Sequence, residues 1–248
     1  MPNDYFQFQQ FRIEQSACAM KVSTDACLLG AAADLTGATR LLDIGTGTGL
    51  LALMAAQRHA TVAIEAVEID AAAAAQAAAN AAACPWAGRI RVRALSLAEY
   101  TATAPTPLAD ADFQFSHIIC NPPFFRQSLR SPNAARTTAR HEDAGSLSFA
   151  ALAAFAANFL AVAGLLTVLL PPPEMRAFEA VAAQVGLYPA TRLVVRHRPG
   201  SRPLRHITGF RPGASATHET ELTIRTAENE TEYSAAFEAL LAGFYLAL

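Results

Sequence analysis

Residues 39–51 read TRLLDIGTGTGLL: a short apolar run containing an acid, three glycines at alternate positions, then the apolar start of a helix. Glycine tolerates backbone conformations closed to other residues and lets a ligand approach the main chain. The free amides at the start of the following helix add a polar cradle. Gly45, Gly47 and Gly49 give the spacing G-x-G-x-G, whereas the dinucleotide fingerprint G-x-G-x-x-G requires a glycine where this chain has Leu50. Asp43 precedes the first glycine by two residues. A carboxylate there attracts a cationic ammonium, directly or through water, and repels a pyrophosphate.

Working outward, strand-like and helix-like stretches alternate. TRLLDIG (39–45), TVAIEAVEID (61–70), RIRVRAL (89–95), FQFSHIIC (113–120) and LLTVLL (165–170) read as five strands. Helices are expected at 49–58, 71–83 and 175–185, the second capped by Asp70. The alternating arginines of 89–95 mark an edge strand. YPATRLVVRHR (188–198) and HETELTIRTA (218–227) follow with no helix between them and read as an antiparallel pair. The expectation is therefore an α/β fold, an open and mostly parallel seven-stranded sheet with a C-terminal antiparallel hairpin and helices on both faces. With 248 residues and no long linker, one domain is expected, 1–248, divided into an N-terminal segment 1–35 and a core 36–248.

The apolar fraction of 52% suits a sheet covered on both faces, and a formal charge of −2 implies no overall polyelectrolyte attraction. Cys18, Cys27, Cys84 and Cys120 are irregularly spaced and fit neither a disulfide framework nor a metal site, so a reducing cytoplasm is expected. MPNDYFQFQQ lacks the basic and apolar regions of a signal peptide. The uncharged stretch 147–170 is long enough to span a bilayer. Phe149, Leu152, Phe155, Phe159 and Leu160 lie near helical spacing, however, and Gly164 separates them from LLTVLL. A helix followed by a buried strand is expected, with no membrane association.

The glycine stretch resembles the S-adenosylmethionine loop of class I methyltransferases, which implies a Rossmann-like fold with Asp43, Gly45, Thr46, Gly47 and Gly49 at the cofactor. A bare tight turn would also use such glycines, but Glu68 ends the second strand, where its carboxylate can accept both hydroxyls of a ribose. Class I enzymes often place an acid after the third strand to read the cofactor's adenine; Ser96 occupies that position here and can still form a hydrogen bond.

CNPPFF (120–125) ends the fourth strand. Two successive prolines make a stiff, extended stop. Asn121, Pro122, Pro123 and Phe124 resemble the N/D-P-P-Y/F motif of methyltransferases that act on planar, conjugated nitrogens. If the Asn121 amide oxygen and the Pro122 carbonyl accept the two hydrogens of an exocyclic amine, its lone pair turns out of conjugation. Phe124 can stack on a flipped-out base.

A wider resemblance covers nearly the whole chain. FQFQQFRIEQSACAMKVSTDACLLGA (6–31), LLDIGTGTGLLALMAAQR, EID, CNPPFF, AARTTARHEDAGSLSF and the closing LLAGFYLAL are similar to the bacterial tRNA1(Val) adenine-N6 methyltransferases. The resemblance implies S-adenosylmethionine-dependent methylation of the adenine 3′ of the anticodon. It also implies that the N-terminal segment covers the cofactor, so Lys21, Thr24 and Asp25 are candidates to approach its methionine end. Equally, Lys21 is a solvated lysine ahead of a helix capped by Thr24 or Asp25. No metal and no obligate protein partner is expected.

Two arginine-rich runs lack acids. One carries Arg126, Arg130, Arg136 and Arg140; the other carries Arg192, Arg196, Arg198, Arg202 and Arg205. Beside a base pocket they suit a tRNA backbone and its unpaired bases. The N-P-P turn also occurs in methyltransferases for guanine N2 in ribosomal RNA and for glutamine N5 in proteins; the arginines favour RNA. Leu50 argues against a nucleotide-linked dehydrogenase.

Overall fold

The computed structural model describes residues 3–103, 114–123, 147–227 and 231–247. In chain order its elements are β1 (Tyr5–Gln7), β2 (Arg12–Glu14), α1 (Thr24–Ala32), β3 (Arg40–Ile44), α2 (Leu50–Arg58), β4 (Ala63–Glu68) and α3 (Ala71–Ala83). There follow β5 (Ile90–Ala94), α4 (Leu97–Thr103), β6 (Phe115–Cys120), α5 (Phe149–Phe159), β7 (Leu160–Leu170) and α6 (Pro172–Gln184). The chain closes with β8 (Leu187–Arg196), β9 (Pro203–Pro212), β10 (His218–Thr223) and α7 (Ala235–Leu241).

The main sheet has eight strands in the order β10-β8-β9-β7-β6-β3-β4-β5. β3 pairs in parallel with β4 and β6, β4 with β5, and β6 with β7. β5 lies at the edge, as its alternating arginines predict. From β3 the chain adds β4 and β5 on one side, then crosses to add β6 and β7 on the other. The reversal leaves a switch point between β3 and β6, where open α/β sheets hold ligands at the strands' carboxyl ends.

The C-terminal half departs from expectation. The predicted hairpin of 188–198 with 218–227 does not form, and the strand count is eight rather than seven. Residues 203–212, whose first residues belong to the arginine run expected to face RNA, form β9, which lies antiparallel to both β7 and β8. β10 instead lies parallel to β8 at the outer edge. A tight turn at Gly200, whose φ is 73°, closes the β8–β9 hairpin, and Ile207, Thr208, Gly209 and Phe210 are buried within β9. The arginines that flank this apolar centre hide its strand character in the sequence.

The long uncharged stretch divides into α5 and β7, the strand starting at Leu160, four residues before Gly164. Leu152, Phe155, Ala156 and Phe159 form the buried face of α5, with the Phe155 and Phe159 rings stacked at 4.3 Å. Among the described residues no helix is long and apolar enough to cross a membrane. All four cysteines are free and buried.

The N-terminal segment forms a small hairpin, with Tyr5 opposite Glu14. Phe8 and Phe11 at its tip are buried, and Phe11 meets the edge of Trp86. Gln9 fastens this tip to the chain's end: its backbone N–H donates to Phe244 O at 2.9 Å, and Nε2 donates to Ala242 O and Tyr245 O at 2.8 and 2.6 Å. At the start of α1 the cap is Ser23, whose Oγ accepts from Ala26 N at 3.3 Å, rather than Thr24 or Asp25. Asp25 is ion-paired with Arg205 of β9 at 2.8 Å.

Candidate active site

β3 delivers Asp43 and the glycine turn to the switch point. Gly45, Gly47 and Gly49 all have positive φ, at 69°, 55° and 86°, so each glycine is conformationally required. The N–H groups of Gly45 and Thr46 both donate to Val67 O, at 2.9 and 3.0 Å, fixing the turn against the end of β4. Gly49 caps α2, and a Cβ there would touch Ala77 of α3 at 3.4 Å.

Asp43 is fully buried. Its Oδ2 accepts from Thr46 Oγ1 at 2.5 Å and from Ala52 N at 3.2 Å, so a side chain and a backbone amide from the turn and helix converge on one oxygen. Oδ1 is buried with no hydrogen-bond partner among the described residues. Burial pushes the Asp43 carboxyl up to about 7, against the opposing pull of the Thr46 and Ala52 hydrogen bonds. A buried carboxylate with one oxygen unsatisfied suits a cationic partner, because leaving such an atom unpaired is costly.

Glu68 ends β4 on one side of the turn. Its Oε2 accepts from Gly47 N at 2.9 Å and its Oε1 from Asp70 N at 3.0 Å. Both oxygens are thus anchored, yet each keeps a lone pair for a hydroxyl donor. Asp70 caps α3 as expected, Oδ1 accepting from Ala73 N at 2.8 Å.

Between β4 and the N-terminus of α4 lies a cleft of about 180 Å³, lined by Gly45, Glu68, Ile69, Ser96, Leu97 and Leu147 among others. Its apolar walls and polar rim suit a flat heterocycle joined to a sugar. Ile69 is 49% exposed although strongly apolar. Its position between two acids is the signal the sequence offers for it; Leu97 and Leu147 line the same cleft without a comparable signal. Ser96 lines the cleft, but it also forms a capping box with Glu99: Ser96 N donates to Glu99 Oε2 at 2.7 Å, and Glu99 N donates back to Ser96 Oγ at 3.1 Å.

On the other side of the turn, Cys120 of β6 pairs with Ile44, which sets Asn121 beside Gly45. Asn121 is half-buried, Pro122 buried and Pro123 exposed. The carboxyl ends of three adjacent strands thus present Glu68, the glycine turn and Asn121 side by side. Phe124 lies outside the described residues, as do Arg126, Arg130, Arg136 and Arg140.

The second arginine run is acid-free only in sequence. Arg192 pairs with Glu179 of α6 at 2.6 Å and with Glu219 of β10 at 3.3 Å; Arg196 pairs with Glu221 at 2.7 Å. Arg205 pairs with Asp25, so Arg192, Arg196 and Arg205 all answer carboxylates from other elements. Arg198 and Arg202 are exposed at the β8–β9 turn. Lys21 is exposed, its Nζ donating to Asn3 O at 3.2 Å and lying 3.9 Å from Asp4, and Thr24 is exposed at the start of α1.

Residues 20–144 match the family model described as a methyltransferase small domain. Over 246 residues the chain is 40% identical to a protein of Phocaeicola vulgatus named tRNA1(Val) (adenine(37)-N6)-methyltransferase, with 99% of each chain covered. A protein of the same name from Pseudoalteromonas translucida is 40% identical, covering 97% of this chain and 98% of its own. Among solved structures, a predicted O-methyltransferase from Agrobacterium tumefaciens superposes with a TM-score of 0.62 at 20% identity, covering 89% of this chain and 96% of that one. A ribosomal protein L11 methylase from Lactobacillus delbrueckii subsp. bulgaricus gives 0.52 at 15%, covering 82% and 84%. These two structures share the Rossmann-like fold.

Proposed function

The chain belongs to the methyltransferase family of its curated relatives, the tRNA1(Val) (adenine(37)-N6)-methyltransferases, and from that premise we propose that it methylates the N6 amine of adenine 37 in tRNA1(Val), using S-adenosylmethionine. The observation that carries this reading is Asn121-Pro122-Pro123 at the carboxyl end of β6, directly beside the glycine turn of β3. With tRNA as substrate, the reaction belongs to the cytoplasm.

Bound S-adenosylmethionine supplies a methyl group activated on a sulfonium. Asp43 holds the cofactor's ammonium, directly or through water, while Glu68 accepts from its ribose and Ile69, Ser96 and Leu97 enclose its adenine. Lys21, Thr24 and Asp25 belong to the segment over its methionine end. Across the turn, the Asn121 amide oxygen and the Pro122 carbonyl accept the two hydrogens of the substrate amine. That contact bends the nitrogen out of the ring plane and frees its lone pair. The prolines fix both acceptors before the substrate arrives, so no reorganisation is needed at the moment of reaction. As the methyl group passes to nitrogen its bond to sulfur would break, leaving S-adenosylhomocysteine, and the surplus proton would be lost to solvent; neither acceptor has to be a strong base, because that proton becomes acidic only as the new N–C bond forms. Phe124 stacks on the extruded base. Arg126, Arg130, Arg136 and Arg140, together with Arg198 and Arg202, contact the RNA; Arg196 and Arg205 contribute while held by their carboxylates.

Incubating the protein with methyl-labelled cofactor and tRNA, followed by digestion to nucleosides, tests the proposal. N6-methyladenosine is the expected product. N2-methylguanosine, or label in protein glutamine, would replace it with one of the competing readings.

A further inference from the structure

Asn80, on the buried face of α3, is 3% exposed and joins two segments far apart in the chain. Its Oδ1 accepts from Glu14 N at 3.0 Å, and its Nδ2 donates to Glu14 O at 2.8 Å and to Thr48 O at 2.9 Å. The carboxamide therefore satisfies both backbone groups of the last residue of β2, as a neighbouring strand would, and also reaches a carbonyl inside the glycine turn. One helical turn earlier, Gln76 Oε1 accepts from Ala17 N at 2.7 Å. Gln15 closes the loop between these points and α1, its Oε1 accepting from Val22 N at 2.9 Å. Within loop 15–22, burial, together with the charges of Glu68 and Asp70, pushes the Cys18 thiol up.

The residue type matters. In a helix otherwise almost wholly alanine, asparagine is the poorer helix former, and a buried amide is tolerated only when fully paired. Asn80 is fully paired, and only a carboxamide offers two donors and an acceptor on one short side chain. Aspartate would turn an oxygen towards two carbonyls, and leucine would leave three backbone groups unpaired.

We infer that Asn80 is a positioning residue of the cofactor site, locking the end of β2, where loop 15–22 begins, to the glycine turn so that ordering of the turn and of the loop is a single event. The inference rests on the reading of this site as an S-adenosylmethionine site. A ligand that orders one partner then orders the other, and the tether contributes to affinity without touching the ligand.

Hydrogen exchange of the full chain with and without S-adenosylhomocysteine, paired with calorimetry, tests this. In the unsubstituted protein the ligand is expected to slow exchange both at 45–49 and at 14–22. In Asn80→Leu the dissociation constant should rise about tenfold, the equivalent of one or two lost hydrogen bonds. At saturating ligand, protection should then persist at 45–49 and vanish at 14–22. The KM for cofactor should rise with kcat unchanged. Should Asn80→Leu not fold, Asn80→Asp keeps the shape and the acceptor while losing both donors, and carries the same expectation. Gln76→Ala leaves the Asn80 contacts in place and should preserve the coupled protection. A folded Asn80 variant with a lowered melting temperature but coupled protection and unchanged affinity would overturn the inference and leave a purely structural role. No protection anywhere in the unsubstituted protein would overturn the cofactor reading, and the inference with it.

Discussion

A single carboxyl group carries much of the site's electrostatics. Burial raises Asp43 from an ordinary value of 3.8 to about 7, so between those values the folded protein holds a proton that the unfolded chain has released. The stability this lends the ligand-free protein is complete below about pH 4, declines as pH rises, and is gone above about 7. Asp43→Asn should flatten that dependence in urea unfolding measured from pH 4 to 8, a difference on the order of a few kcal/mol. A cationic ammonium on the ionised carboxylate reverses the preference. Binding of S-adenosylhomocysteine below pH 7 should thus release a proton, seen in calorimetry as a buffer-dependent heat, and affinity should rise with pH and level off near 7. Asn121 lies on the other side of the turn, and the proposed mechanism assigns it to the later, chemical step. Asn121→Ala should lower single-turnover methyl transfer by roughly two orders of magnitude, comparable to losing one preorganised electrostatic contact, with cofactor affinity intact. An unimpaired rate would make the Asn-Pro-Pro turn merely structural.

At the scale of elements, the β3–α2 junction stores the site's shape. All three glycines occupy the left-handed region, where a side chain is strained whatever the space around it, and a Cβ at Gly49 would make only ordinary contact with Ala77. Gly49→Ala should cost about 1–2 kcal/mol from its backbone conformation, read as a lower denaturant midpoint. It should weaken cofactor binding as well, since Gly49 N donates to Thr46 O and strain there would distort the turn that Glu68 braces. The alanine-rich α3 is the complement of this junction. Small side chains at Ala73, Ala74, Ala77 and Ala81 let the helix sit close to its neighbours, and Asn80 spends that proximity on hydrogen bonds. What reads in the sequence as low complexity is a closely packed face.

Across the whole molecule, carboxylates from other elements tie several arginines of the second basic run into the fold. Arg192, Arg196 and Arg205 lie between sheet elements and carboxylates, whereas Arg198 and Arg202 stand exposed at a turn. Arg205→Ala should reduce stability by about 1 kcal/mol or less, as a partly exposed ion pair does. Neutralising Arg136 and Arg140 together should weaken tRNA binding and flatten its salt dependence without altering cofactor affinity; unchanged binding at every salt concentration would remove those residues from the RNA face. The parallel half of the sheet, the glycine turn, the Asp70 cap and the edge position of β5 were legible in the sequence, because each is written locally in hydrophobic period, in glycine spacing or in a capping residue. The family was legible too, from motifs that keep their order along the chain. Strand β9, the partners of Arg196 and Arg205 and the double tether of Asn80 were not. Each depends on which distant segment arrives alongside: an arginine pairs with whatever carboxylate the sheet order brings near, and an amide in a helix shows its purpose only when β2 and the glycine turn close on it. Local chemistry chose the elements of this protein, while long-range packing decided which polar groups serve the fold and which face the cleft.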